Sequence, residues 1–238
     1  MAKCRLSERA WEIMEVKKFL VNLTLIWCLV SCSNTTDLET GEIKTLKVIK
    51  SALLQSKGQK TFVNSRTLLD RKKIDSFSFP ILFVELKSGQ NGTLTPYPGK
   101  GIGRTWLGAD GATITLDRGV LKASRGMGDD LMGSSSSMPN WSNVNKKTES
   151  YSREINHITG NNKIFKRVFS CDIEKTSIDE QIEIWDINFK VDKFEENCSD
   201  GSITFKNSYQ VDTRGIVRRS IQYHSETLGS ILIERLDR

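Results

Sequence analysis

The chain has 238 residues, carries 35 Lys and Arg against 29 Asp and Glu, and holds only two His and five Cys. Its formal charge of +6 is spread along the sequence, with no dense Lys/Arg tract of the kind that tracks a phosphate backbone, which argues against a nucleic-acid partner. An acidic polymer fits the balance, but a solvated surface of mixed charge accounts for it more simply.

Residues 1–31 read as a secretory leader. Lys17-Lys18 precede an apolar run from Phe19 to Val30, and the small Ser31 stands before a cut site. The run is too short to span a bilayer, which takes about 20 apolar residues. Leu29-Val30-Ser31-Cys32 resembles the lipobox of bacterial lipoproteins. The resemblance implies that the Cys32 thiol is alkylated by diacylglycerol, that the chain is cut before Cys32, and that the new amino group is acylated. At about 0.8 kcal/mol per buried CH2, two or more acyl chains anchor stably. The competing reading is a leader cut elsewhere with an incidental cysteine. Met14 opens a compact leader, so residues 1–13 read as an upstream extension. Ser33 follows the cysteine where many inner-membrane lipoproteins carry Asp. By resemblance to lipoprotein sorting rules, that points to the periplasmic face of the outer membrane.

The leader holds five basic and three acidic residues, so its removal leaves +4. Residues 32–41 read as a lipidated polar tether, and residues 42–238 as a single β-rich domain. Ile43, Leu46, Ile49, Leu53 and Leu54 recur at three- and four-residue steps, which predicts one amphipathic helix over 42–56 with Gly58 just past its end. From Thr61 on, β-branched alternation takes over. Residues 81–86 predict a buried strand and Gln90-Asn91-Gly92 a turn. Arg104–Leu107 and Ala112–Leu116 predict a hairpin around Asp110-Gly111, followed by a third strand over 120–124. The run Gly133-Ser-Ser-Ser-Ser137 reads as a flexible loop or lobe boundary near 133–140. Beyond it, six strands are predicted over 151–158, 163–175, 180–194, 202–212, 215–224 and 229–236. The apolar phase of 180–194 shifts between Ile184 and Ile187, which predicts a bulge or bend. The expected fold is mainly β: an antiparallel meander, strongly curved or barrel-like, with one N-terminal helix.

The motifs of common enzyme chemistry are missing: no Gly-x-Ser-x-Gly elbow, His-Glu-x-x-His helix or phosphate-cradling loop is present. Gly99-Lys-Gly-Ile-Gly103 precedes a strand rather than opening a helix, so it reads as a turn. No catalytic residue, metal site or cofactor is assigned, since His157 and His224 stand alone without ligand spacing. Asp110, Asp129 and Asp130 are the carboxylates to consider for a glycan-modifying reaction. For Asp129 and Asp130 the preferred reading is a turn-capping or helix-starting pair. Among the aromatics, Trp106 and Trp185 read as core, whereas Trp141 beside Pro139-Asn140 reads as exposed. Trp141, Tyr151, Asp110, Arg125, Asp129 and Asp130 are therefore the candidate contacts to a glycan or partner protein.

Cys4 and Cys28 leave with the leader and Cys32 is lipidated, so Cys171 and Cys198 remain in an oxidising compartment. Two such cysteines most often pair, and the loop they close contributes about 3 kcal/mol. A metal pair or two free thiols is the competing reading. A hairpin turning near Thr176-Ser177 would overshoot Cys198. Pairing then requires the return arm to bend, or Cys198 to sit on a neighbouring turn, because bridged Cα atoms lie within about 7 Å.

Thr105-Trp-Leu-Gly-Ala-Asp-Gly-Ala-Thr-Ile-Thr-Leu116, Gly119-Val-Leu121 and Ser124-Arg-Gly-Met-Gly-Asp-Asp-Leu-Met132 together resemble the YjbF/GfcB family of group 4 capsule and exopolysaccharide lipoproteins. Gly160-Asn-Asn162, Phe169-Ser-Cys171, Glu196-Asn-Cys198, Phe205-Lys-Asn-Ser-Tyr-Gln-Val211, Gly215-Ile216 and Gly229-Ser-Ile-Leu-Ile233 extend the resemblance over nearly the whole mature chain. It implies a non-enzymatic outer-membrane lipoprotein that serves polysaccharide export by docking on a secretion barrel or channel, or by holding the glycan. A glycan-modifying enzyme and a purely structural envelope protein are the alternatives.

Overall fold

The computed structural model describes residues 64–97, 104–144, 148–158 and 163–238. All of them fall within one of the two compact units into which the chain divides, Ile49–Arg238. The helix expected over 42–56, the glycine-rich stretch at 99–103 and Cys32 lie outside the described residues.

Among the described residues, two short helices come first, α1 (Ser65–Leu68) and α2 (Arg71–Asp75). Their N-caps are the side chains of Asn64, which accepts from Arg66 N, and Asp70, which accepts from Lys73 N. Twelve strands follow: β1 (Leu82–Leu86), β2 (Asn91–Pro96), β3 (Arg104–Gly108), β4 (Thr113–Asp117), β5 (Val120–Arg125), β6 (Leu131–Ser136), β7 (Glu149–Ile158), β8 (Ile164–Ile184), β9 (Ile187–Ser199), β10 (Thr204–Asp212), β11 (Val217–Ser225) and β12 (Gly229–Arg235). They make one antiparallel sheet in the order β5-β4-β3-β2-β1-β12-β11-β10-β9-β8-β7-β6. The sheet curls into a nearly closed barrel that brings its two edges, β5 and β6, together. Side chains bridge this seam. Leu131 N donates to Ser124 Oγ at 3.0 Å, and the Arg125 guanidinium donates to the carbonyls of Leu131 at 2.8 Å and Met132 at 3.4 Å. Lys122 Nζ meets Ser136 Oγ at 3.2 Å.

Strand alternation sorts the apolar residues. Leu82, Val84, Trp106, Ile114, Leu121, Phe169, Phe205 and Ile233 fill one interior cluster. Val120, Ile173, Phe194, Tyr209 and Val211 continue it toward one mouth, where Met138, Trp141 and Val144 cover it. Phe83, from the other face of β1, packs with Ile74 of α2 and with Ile182, Ile184, Phe189 and Val191. Gly119 lies at the β4–β5 turn with φ +84°, and a Cβ there would sit 2.3 Å from the Val217 side chain.

Three sequence expectations are corrected. The turn between β1 and β2 is centred on Lys87–Gly89, where Leu86 N bonds Gln90 O, so Asn91-Gly92 already belong to β2. Residues 133–136 are not a flexible loop but part of β6, held in register by Gly133↔Asn156 through Ser136↔Arg153 of β7; tertiary pairing overrides weak strand propensity. The phase shift between Ile184 and Ile187 is a hairpin turn. Trp185 and Asp186 have φ of 50° and 64°, the geometry of a two-residue primed turn, and Ile184 pairs directly with Ile187. Cross-strand partners share a face, so parity flips across the turn. Bulges do occur, but earlier, between Lys175 and Ser177 and between Ser177 and Glu180.

Candidate functional site

The interior carries a charged layer as well as an apolar one. Glu196 of β9 is 0% exposed. Arg153 of β7 pairs with one of its carboxylate oxygens at 2.7 Å, and the Tyr151 hydroxyl bonds the same oxygen. Asn207 Nδ2 at 2.7 Å and the Tyr209 hydroxyl at 2.8 Å donate to the other. Cys171 and Cys198, directly opposed on β8 and β9, are disulfide-bonded beside it with Cα atoms 4.1 Å apart. Burial and the Glu196 charge push the Tyr209 and Tyr151 hydroxyls above the ordinary tyrosine range. Burial opposes the Arg153 charge, but Tyr209, Glu196 and Tyr151 outweigh it and raise its pKa. Cys171, Glu196 and Cys198 place their ligand-type atoms within 4.8 Å of one another, yet both sulfurs are spent in the disulfide. A carboxylate with every lone pair engaged and no exposed surface holds strands in register; it has no route to a substrate.

A second polar group sits at the seam. Ser124 Oγ lies 2.7 Å from His224 Nε2, and His157 Nε2 lies 2.8 Å from the His224 carbonyl. Burial, and then the charge of neighbouring His157, press the His224 pKa down to about 4. A Ser–His pair at this distance has the form of a nucleophile and base. Ser124 is 1% exposed, however, and its oxygen already accepts from Leu131 N, so the pair ties β5, β6 and β11 together.

The residues singled out from sequence fall into two groups. Tyr151 and Trp141 point inward. Trp141, expected at the surface, is 7% exposed, because its ring packs on Phe194 and Tyr209 and its Nε1 donates to the Arg118 carbonyl at 3.0 Å. Asp110, Asp129 and Asp130 lie in connections at the opposite end of the barrel, where Arg125 closes β5. Asp110 accepts from Ala112 N, and Asp130 accepts from the amides of Gly126 and Met127, so both cap turns. Glu196, Arg153, Asn207, Tyr209, Ser124 and His224 were not singled out. Their signal is a polar residue in the apolar phase of a strand: Glu196 between Phe194 and Cys198, Asn207 between Phe205 and Tyr209, Arg153 between Tyr151 and Ile155. A cleft of about 370 Å³ opens between the β4–β5 and β10–β11 turns, lined by Trp106, Leu116, Asp117, Arg118, Ile233 and Arg235.

The barrel is similar to the crystal structure of the hypothetical lipoprotein YmcC from Escherichia coli K12, at 18% identity and a TM-score of 0.63, covering 81% of this chain and 95% of that one. At this identity the likeness speaks for the fold. No curated protein sequence matches the chain. The model of the YjbF family, described as the group 4 capsule polysaccharide lipoprotein GfcB, matches residues 45–236. The chain therefore belongs to the YjbF family of group 4 capsule polysaccharide lipoproteins.

Proposed function

We propose that this protein is a lipid-anchored, non-enzymatic accessory of capsule or exopolysaccharide export. Acylated Cys32 holds it at the periplasmic face of the outer membrane. There it docks on a secretion barrel or channel, or holds the passing glycan. The observation that carries this reading is the family match over residues 45–236, downstream of the lipobox-like Leu29-Val30-Ser31-Cys32. The carboxylates weighed for a glycan-modifying reaction support it as well, since Asp110 and Asp130 are engaged as turn caps. Deleting the gene should lower surface polysaccharide while its cytoplasmic precursors persist. Unchanged surface polysaccharide would overturn the reading. If D110A, D129A or D130A alone abolished export in a stable protein, the enzymatic alternative would regain support.

A further inference from the structure

Among the described residues, large apolar side chains left in water are scattered, except where Ile164, Phe165 and Val168 stand 65%, 49% and 52% exposed within five residues. The stretch reads Lys163-Ile-Phe-Lys-Arg-Val168. Its exposure on both faces has a topological cause. β8 meets β9 only from Ser170, opposite Ser199, whereas it pairs with β7 from Ile164. Residues 164–169 thus form a strand edge about 20 Å long with a neighbour on one side.

The fold also indicates what meets this edge. Successive antiparallel strands place the starts of β2, β8, β10 and β12 at one end of the barrel. The chain joins the body at that same end, since Ser65 N donates to Asn91 Oδ1 at 2.8 Å and Asn91 opens β2. The segment that leads from Cys32 therefore joins the barrel at the same end as the exposed stretch of β8, six strands away in the sheet. Pairing with a second copy about the middle of the edge would face Lys166 with Arg167 of the copy, so no charge pair across the ladder would favour it. Against a lipid surface the same residues are compatible with headgroup phosphates. Lys166 is held by Glu154 at 2.6 Å, and Arg167 by Asp200 at 2.7 Å, with its guanidinium 5.1 Å from the Phe165 ring. Their charges are largely offset, so the apolar side chains dominate the contact.

We infer that the β8 stretch 164–168 lies in the headgroup region of the membrane that holds this protein, with Ile164, Phe165 and Val168 at the acyl boundary. The inference rests on the lipid-anchored reading, and adds an orientation: the end bearing the β1–β2 turn faces the lipid and the 370 Å³ cleft faces away. Interfacial side chains of this kind reach about 5–10 Å into the boundary.

The test uses the full-length acylated protein carrying F165W, in phosphatidylethanolamine–phosphatidylglycerol vesicles with or without brominated acyl chains. The emission added by the substitution should shift to the blue and fall about twofold with brominated lipid, given that depth. Adding I164D/V168D should restore it. Unquenched emission from vesicle-bound protein would overturn the inference. So would a dimer by light scattering that I164D/V168D dissociates, which would assign the edge to a second copy. Mass spectrometry of the same sample reads acylation separately. A missing acyl group sinks the lipid-anchored reading, and quenching after simple mixing with vesicles still decides the role of β8.

Discussion

At the scale of single residues, the interior turns on whether each charge has its partner. Glu196 and Arg153 are buried together, and removing one strands the other where solvation cannot compensate it. E196Q should therefore cost about 3–5 kcal/mol, and adding R153M should recover a large part, because an apolar pair of similar volume suits that environment. Urea unfolding of the two variants against wild type measures both. His224 gives a pH dependence. Its folded pKa of about 4 lies below the ordinary 6.5, so between these values the unfolded chain binds more protons than the folded one. Stability is then full above about pH 6.5 and declines as pH falls toward 4, by at most about 3 kcal/mol. H224Q should flatten that part of the melting-temperature profile. An unaltered slope would place the sensitive group elsewhere. These residues were hard to find in the sequence because a polar residue in the apolar phase of a strand looks like a break in the pattern. Only the cross-strand neighbours, from distant segments, show it to be satisfied.

At the scale of elements, strand type and order were legible and turn placement was not. Asp110-Gly111, Asp200-Gly201 and Arg214-Gly215 carry turn chemistry and do turn. Trp185-Asp186 carries it only at Asp186, yet both residues take positive φ, because the paired arms of β8 and β9 and the packing of Trp185 on Phe83 hold them there. Thr176-Ser177 looked like a turn and is a bulged stretch of β8. Moving the turn to 185–186 removes the difficulty over the disulfide. The two arms become similar in length, and the two bulges of β8 take up the remaining two residues, so that Cys171 meets Cys198. With a sequence separation of 27, the bridge should stabilise by about 3 kcal/mol. C171S/C198S should therefore unfold at lower urea while keeping its β circular dichroism. An unshifted midpoint would mean that ladder hydrogen bonds alone fix the register of β8 on β9.

At the scale of the whole molecule, the β-rich class and the curved meander could be read from alternation. A barrel-like form was among the expected outcomes, but the contacts that close it, side chains of β5 reaching β6 across the seam, are not encoded in local pattern. Trp141 belongs to the same category: a polar, Pro-flanked stretch reads as surface until the open mouth of the barrel it covers is known. The export reading depends on position as much as on fold. On the lipid-anchored reading, an acyl group on Cys32 would confine the domain to a thin layer beside its partners and raise their effective concentration, so contacts of modest affinity would suffice. On that reading C32A would remove the anchor and touch no described contact of the barrel. It should yield either a folded protein released to the periplasm or an uncut precursor, and in both cases surface polysaccharide should fall toward the level of the deletion strain. Fractionation and fatty-acid labelling distinguish the two forms. Full surface polysaccharide in a C32A strain whose protein is found soluble would show that the barrel acts without its tether, and would detach the export role from the membrane.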